Sequence, residues 1–328
     1  MSDGNMFITL GVIGVFFLAV IVVLYSTNRQ QRGFEDYAVG GRSYGSWFIA
    51  FSYTNSWWPG STFTAFFGLT VASGVLGMYA LAYSLLGVTA MYLMANRAWI
   101  WGKKFDLKTQ PDLMGLRYGS DAVKVIASVI GLISIFPWVV LGMQALATLF
   151  RFATFDRWSV TGCLVAGLVL IAVRQIWTVR MGMHGLIMTD VFQGVVAYVV
   201  AAVLCVVLLF GGGAPISAIG RLPEEFLQLP GDGGNYGPLY VFSLVATGVI
   251  GSLCWPTSFQ RIYTASGVRS VKLGTVQTIL LAGVFYALLT LVGLAVAGTT
   301  GLAEHPADAW FTLLRDYGGD WLLGLAII

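Results

Sequence analysis

The chain has 328 residues, of which 57% are apolar and 10% are charged, whereas a soluble domain has about 45–50% and about 25%. Its net charge is +3 and its mean hydropathy is +0.80. So few charges cannot cover a soluble domain of this size, and so much apolar surface excludes a disordered coil. The lysines and arginines lie in short loops between apolar runs, not in the basic stripe of a nucleic-acid binder. The composition therefore predicts a polytopic protein of the lipid bilayer with no nucleic-acid partner.

The sequence gives no sign of an enzyme. It contains no HExxH, P-loop or CxxC motif, and its cysteines do not have the spacing of metal ligands. We find no nucleophile–base pair or metal cluster within the apolar runs, which a membrane-embedded enzyme would need. We therefore predict that the protein is not an enzyme.

Eight apolar runs predict membrane-spanning helices, each of which takes about 20 residues. The first has no basic segment before it and no clear cleavage site, so we interpret it as a retained span and not a signal peptide. The runs lie at 6–25, 47–72, 75–95, 123–150, 159–173, 186–210, 239–255 and 276–297, and residues 321–328 resemble the start of a ninth.

The loop charges predict the orientation of these spans. With the N-terminus outside, most of the 18 basic residues fall in inside segments, as the positive-inside rule requires. Those left outside are Arg151, Arg157, Arg221 and Arg315.

The second run is interrupted near its centre by Pro59 and Gly60. Proline removes one backbone donor and collides with the preceding turn, while glycine eases an unwound turn. Irregular backbone at membrane depth is tolerated where it lines a cavity. Carbonyls freed around Asn55–Trp58 could coordinate a cation, and the hydroxyls of Ser61 and Thr62 could contact a polar solute. The alternative is a simple proline kink whose hydroxyls bond back to the helix.

The seventh run has a second soft point at Gly248, Gly251 and Ser252, followed by Pro256 near its inside end. Two interrupted spans that lie five apart in order fit an inverted repeat, and transporters bind substrates at such breaks.

Asp190 opens the sixth run, with Gln193 on the same helix face. Ionisable residues at membrane depth indicate function by default, so Asp190 is a candidate for a cation path on the inside. The alternative is a carboxylate that the dipole of a helix N-terminus stabilises.

Four strings, taken together, resemble the sodium:solute symporter family across essentially the whole chain. They are GGRS at 40–43, TQPDLMGLRYGS at 109–120, TDVFQG at 189–194 and PTSFQRIYTA at 256–265. Within the family, STFTAFFG at 61–68 and FPWVVLGMQ at 136–144 are similar to monocarboxylate permeases.

The resemblance implies one all-α transporter domain over 1–328 with a LeuT-type fold. An extra N-terminal span and loop at 1–46 would precede a first five-helix repeat at 47–210 and a partial second repeat at 239–328. In the family, hydroxyls on a helix of the second repeat complete the sodium site. That helix would start near residue 321, only a few residues before the chain stops. We therefore expect the chain to be a C-terminally truncated fragment of a longer protein.

The resemblance also implies site residues. Backbone carbonyls at Asn55 and Trp58 match the positions that bind sodium, and Asp190 matches the cation-linked aspartate. Trp57 stands where proline-transporting members have an aspartate, and Ser61–Thr62 stands where sugar-transporting members have a Glu–Gln pair, which argues against a sugar.

The resemblance implies sodium-coupled symport of a small organic solute, a short carboxylate or an amino acid, by alternating access in a bacterial inner membrane. The alternative is a solute-sensing module of a larger signalling protein such as a histidine kinase. Solute identity, sodium or proton coupling and oligomeric state stay open. The predicted solute pocket comprises Gly60, Ser61, Thr62, Gly248, Gly251 and Ser252.

Overall fold

The computed structural model describes residues 3–27, 33–229, 237–299 and 301–327, and these ranges are helical with no strand. Short 3-10 turns at Gly40–Arg42, Gly74–Gly77 and Ile216–Arg221 join some of the helices. The helices are α1 (Asp3–Ser26), α2 (Phe34–Val39), α3 (Ser46–Trp57), α4 (Gly60–Ser73), α5 (Met78–Lys104), α6 (Gln110–Tyr118), α7 (Asp121–Ala153), α8 (Val160–Gly211), α9 (Glu224–Leu227), α10 (Pro238–Leu253), α11 (Pro256–Thr264), α12 (Val268–Val296) and α13 (Ala309–Ala326). The all-α prediction is confirmed.

The helices are long and apolar enough for a multi-pass membrane protein. Within the described ranges, five helical segments could cross a bilayer, or six if α10 and α11 count as one bent span. Two of them, Gly60–Lys104 and Val160–Gly211, have 45 and 52 residues, and each is long enough to cross twice at about 20 residues a span. The total of eight spans stays a prediction.

The predicted fifth and sixth runs are joined in α8, which changes direction at Gly182. There φ is 58° and ψ is −147°, a conformation that is essentially restricted to glycine. An added Cβ would also lie 2.5 Å from the backbone oxygen of Tyr37 in α2. Backbone conformation and close packing therefore both require glycine at this bend.

An aromatic cluster packs α4 against α12 and α13. The rings of Phe66 and Tyr286 are 4.5 Å apart and those of Phe67 and Trp310 are 5.2 Å apart, both edge to face. Such pairs add to the stabilisation from burial alone. On α7, by contrast, Phe136 and its apolar neighbours are mostly exposed, as expected of a surface that lipid would cover.

The start of α3 and the end of α11 meet through backbone hydrogen bonds. The amide of Tyr44 donates to the carbonyl of Thr264 at 3.4 Å, and the amide of Ser266 donates to the carbonyl of Tyr44 at 2.9 Å. Arg42 reinforces this junction by donating to the carbonyls of Tyr263 (3.1 Å) and Leu107 (3.0 Å). The two interrupted helix pairs are thus fastened together at one end.

Candidate functional site at the helix breaks

The first break lies where the sequence predicts it. Helix α3 ends at Trp57, Trp58 has φ −126° and ψ 60°, and Pro59 is extended before α4 begins at Gly60. Since Pro59 has no N–H, the carbonyl of Asn55 loses its usual helical partner. The amides of Thr62 and Phe63 both donate to the Pro59 carbonyl, at 2.9 and 3.1 Å. The helical hydrogen bonds of α4 therefore begin at Pro59 and do not reach back to the carbonyl of Trp58.

A small cavity of about 40 Å³ lies beside this break. Its lining includes Asn55, Trp58, Tyr198 and Tyr286. A volume of 10–15 Å³ of this kind is enough for one water, so the cavity has room for an ion or a few waters. The Tyr286 hydroxyl is buried and lacks a hydrogen-bond partner among the described residues.

Asp190 lies against α3 in a buried hydrogen-bonded cage. Its Oδ2 accepts from the Ser52 hydroxyl at 2.7 Å, and its Oδ1 accepts from the side-chain amide of Asn55 at 3.0 Å. The structure therefore brings together two of the residues predicted to handle a cation. Asp190 lies well inside α8, eight residues after the Gly182 bend.

Arg261 completes this cage from the end of α11. It lies 3.2 Å from the Asp190 carboxylate, and both side chains are 4% exposed. Its Nε donates to the Ser52 hydroxyl at 3.1 Å, and an Nη donates to the Ser56 hydroxyl. One carboxylate, one guanidinium and two hydroxyls thus join α3, α8 and α11.

Sequence reasoning missed the role of Arg261, treating it as an ordinary inside-loop charge. The available signal was its position five residues after Pro256, within a helix that continues a bent span. The sequence places Gln193 on the same helix face as Asp190. In the structure, the Gln193 side chain accepts a hydrogen bond from Arg174 at 3.1 Å.

The second break is shifted from the predicted soft point. Helix α10 runs unbroken through Gly248, Gly251 and Ser252, and the chain turns at Cys254–Trp255, where α11 departs at 49°. The reason is that Pro256 cannot donate to the last turn of α10, whereas glycine inside a helix costs only about 1 kcal/mol relative to alanine.

Close packing against α5 accounts for the small residues of α10. An added Cβ at Gly248 would lie 2.5 Å from the ring of Tyr83, and one at Gly87 would lie 2.6 Å from the Ser252 hydroxyl. Small residues permit such close helix contacts in membranes. Gly251 has open space around it.

The predicted solute residues lie in two places, one on each interrupted helix pair. Gly60, Ser61 and Thr62 form the first turn of α4, and the Thr62 hydroxyl is buried without a partner among the described residues. Ser252 and the Trp57 ring both contact Gly87, which joins the two interrupted helices. The binding of a solute by these residues stays a prediction.

The model of the sodium:solute symporter family matches residues 37–327. The chain belongs to the sodium:solute symporter family. This family consists of transporters and not enzymes, as predicted. Among solved structures, the symporter chain is similar to a Na⁺-coupled sialic acid symporter in a substrate-bound, outward-open state, with a TM-score of 0.75 and 17% identity. That likeness covers 98% of this chain and 68% of the other, and it confirms the LeuT-type fold.

Two curated relatives are named as transport proteins. An uncharacterised symporter of Bacillus subtilis, YhjB, is 23% identical over 268 residues, which are 79% of this chain and 53% of the relative. A monocarboxylate transport permease protein of Rhizobium johnstonii is 21% identical over 327 residues, which are 95% of this chain and 64% of the relative. The chain thus spans about half the length of the Bacillus protein.

Proposed function

We propose that the protein takes up a small organic solute, a short carboxylate or an amino acid, together with sodium by alternating access. The observation that carries the proposal is the break at Trp58–Pro59 beside the buried Asp190 cage. Transporters of this architecture use unwound carbonyls for the ion and half-helix N-termini for anionic substrates, and α3 and α4 present these two features at one point.

The donor atoms around the break suit sodium, a hard cation that prefers oxygen ligands. We assign the backbone carbonyls of Asn55 and Trp58 to the ion. Pro59 has no N–H group, so it cannot donate the helical hydrogen bond that the Asn55 carbonyl would otherwise accept. Asp190 lies on the neighbouring helix α8, where its carboxylate accepts hydrogen bonds from Ser52, Asn55 and Arg261. A carboxylate at membrane depth that faces the bundle interior is the usual mark of an ion pathway.

The first turn of α4 suits an anionic solute. Its N-terminus carries positive partial charge, and Pro59 gives it no side-chain cap. The hydroxyls of Ser61 and Thr62 add polar contacts, while no carboxylate stands at either position. The name of the Rhizobium relative, a monocarboxylate permease, supports a short carboxylate as the solute.

We propose that the N-terminus lies outside a bacterial inner membrane because of the distribution of loop charges, and two side-chain pairs agree with its assignment of loops to common sides. Arg42 is 3.6 Å from Asp106, and we predict both to be inside. Arg151 pairs with Asp308, and we predict both to be outside. Each pair joins segments that the charge distribution assigns to the same side.

The test is uptake of a panel of radiolabelled short carboxylates and amino acids by the native protein in proteoliposomes. We expect uptake with an inward sodium gradient and little uptake when choline replaces sodium at fixed pH. Equal uptake in choline would refute the sodium coupling. Solute binding without uptake would favour a sensing module. Ser61→Trp should abolish uptake without lowering the yield of folded protein, and normal uptake would remove Ser61 from the site.

A further inference from the structure

The Asp190 cage already contains a positive charge, and this charge belongs to the protein. The guanidinium of Arg261 bonds to oxygen atoms of Asp190, Ser52 and Ser56. Hydroxyl and carboxylate oxygens are the ligands that hard cations prefer. The guanidinium therefore occupies the position that these oxygens offer to a cation.

One carboxylate neutralises one positive charge. Asp190 and Arg261 are both almost completely buried, and a buried charge without a partner is strongly unfavourable. A sodium ion beside Asp190 with Arg261 still in place would leave a net positive charge in the interior. Sodium and the guanidinium therefore exclude each other at this carboxylate.

The guanidinium has another acceptor within reach. The carbonyl of Thr257 lies 3.5 Å from one Nη atom, and the Thr257 hydroxyl, one turn earlier on α11, is buried without a partner among the described residues. When Arg261 turns away from Asp190, this turn of α11 offers oxygens to receive it.

We propose that Arg261 is an internal counter-cation that competes with sodium for Asp190. In the conformation described here, the guanidinium holds α11 against α3 and α8. Sodium binding at Asp190 displaces it and releases that connection, so the occupancy of the ion site controls the second interrupted helix pair. This inference rests on the proposed function, since it takes sodium to be the ion that reaches Asp190.

The experiment measures the equilibrium binding of radioactive sodium to the native protein in nanodiscs. Arg261→Gln removes the competing charge, so we expect the sodium Kd to fall at least about tenfold, which corresponds to about 1.4 kcal/mol. Arg261→Lys keeps the charge but loses the forked hydrogen bonds, so its Kd should lie between those of Arg261→Gln and the wild type. Arg174→Gln, the same change on α8 away from the cage, should leave the Kd unchanged.

The double variant Asp190→Asn, Arg261→Gln replaces the ion pair with a neutral amide pair. It should fold and lose the gain in sodium affinity. If Arg261→Gln proves too unstable to purify, the Arg261→Lys comparison decides. A sodium Kd that is unchanged or higher in the folded Arg261 variants would overturn the competition and leave Arg261 a structural clamp. Choline-insensitive uptake by the wild type would instead refute the proposed function, so the two failures are distinguishable.

Discussion

Gly182→Ala should destabilise the protein, because the bend in α8 depends on glycine. A non-glycine residue in this backbone region costs about 1–3 kcal/mol. The new Cβ would also lie 2.5 Å from the Tyr37 carbonyl oxygen and 2.7 Å from its ring, and overpacking of this kind costs about 1–3 kcal/mol more. The free energy of unfolding should therefore fall by about 2–5 kcal/mol after partial relaxation.

The same substitution should weaken sodium binding. Asp190 lies eight residues after Gly182, about 12 Å along the helix at 1.5 Å per residue. A helix redirected at Gly182 would move the carboxylate away from Ser52 and Asn55.

The assay for Gly182→Ala combines denaturant unfolding in mixed micelles with sodium binding. Gly142→Ala in α7 is the matched control, because an added Cβ there has no atom within 4 Å. Alanine at that position should leave stability unchanged or raise it by up to about 1 kcal/mol. Equal stability of the Gly182 and Gly142 variants would refute the bend as a glycine-dependent feature.

Three further outcomes are expected. Asp190→Asn should lower sodium-dependent uptake at least tenfold, and it should destabilise the fold by about 3–5 kcal/mol because Arg261 loses its buried partner. Uptake and unfolding assays test the two effects, and unimpaired uptake would contradict the assignment of Asp190 to the cation path. Gly68→Ala should cost about 1–3 kcal/mol, since its Cβ would lie 2.0 Å from the backbone oxygen of Pro306; a thermal midpoint equal to that of the wild type would contradict this packing. Asp112→Asn should cost about 1 kcal/mol at pH 7, because the Asp112 carboxylate completes the capping box that Thr109 opens on α6. Thermal unfolding from pH 7 to pH 3 should show this difference shrinking in acid.

The sign of that pH dependence follows from the environment of Asp112. Burial raises the pKa of its carboxyl, but hydrogen bonds from Lys124, from Thr109 and from two backbone amides outweigh it, so the pKa lies below its usual value. A depressed pKa in the folded state gives stability that is complete above the unfolded value near 3.9. That stability is lost as the pH falls through the folded value. A difference between wild type and Asp112→Asn that is constant down to pH 3 would contradict this assignment.

Much of the architecture could be predicted because membrane helices follow from local composition. The break at Pro59 was predictable since a missing N–H and a neighbouring glycine act within one turn. The second break was misplaced because glycine alone does not decide where a helix ends. Gly248 lies inside α10, and the need for glycine there comes from close packing against Tyr83, which is distant in sequence.

The Asp190 cage was predictable only in part. A carboxylate in an apolar run is visible in any sequence, and so Asp190 was identified. Its partners Ser52 and Arg261 come from residues 138 and 71 positions away, and no local pattern assigns them. Arg261 was the hardest to recognise, because the bend at Cys254–Trp255 returns it towards the bundle interior.

The break at Pro59 also suggests why an ion and an anionic solute would bind together. The end of α3 carries the negative end of a helix dipole and the start of α4 carries a positive end, and the two are separated only by Trp58 and Pro59. Under the proposed function, a cation would neutralise the first and a carboxylate the second. In a medium of low dielectric constant, either charge bound alone is costly, whereas opposite charges a few ångströms apart stabilise each other. Coupling between sodium and solute would then arise from the electrostatics of one interrupted helix. Arg261 would be the cation that neutralises Asp190 until sodium binds.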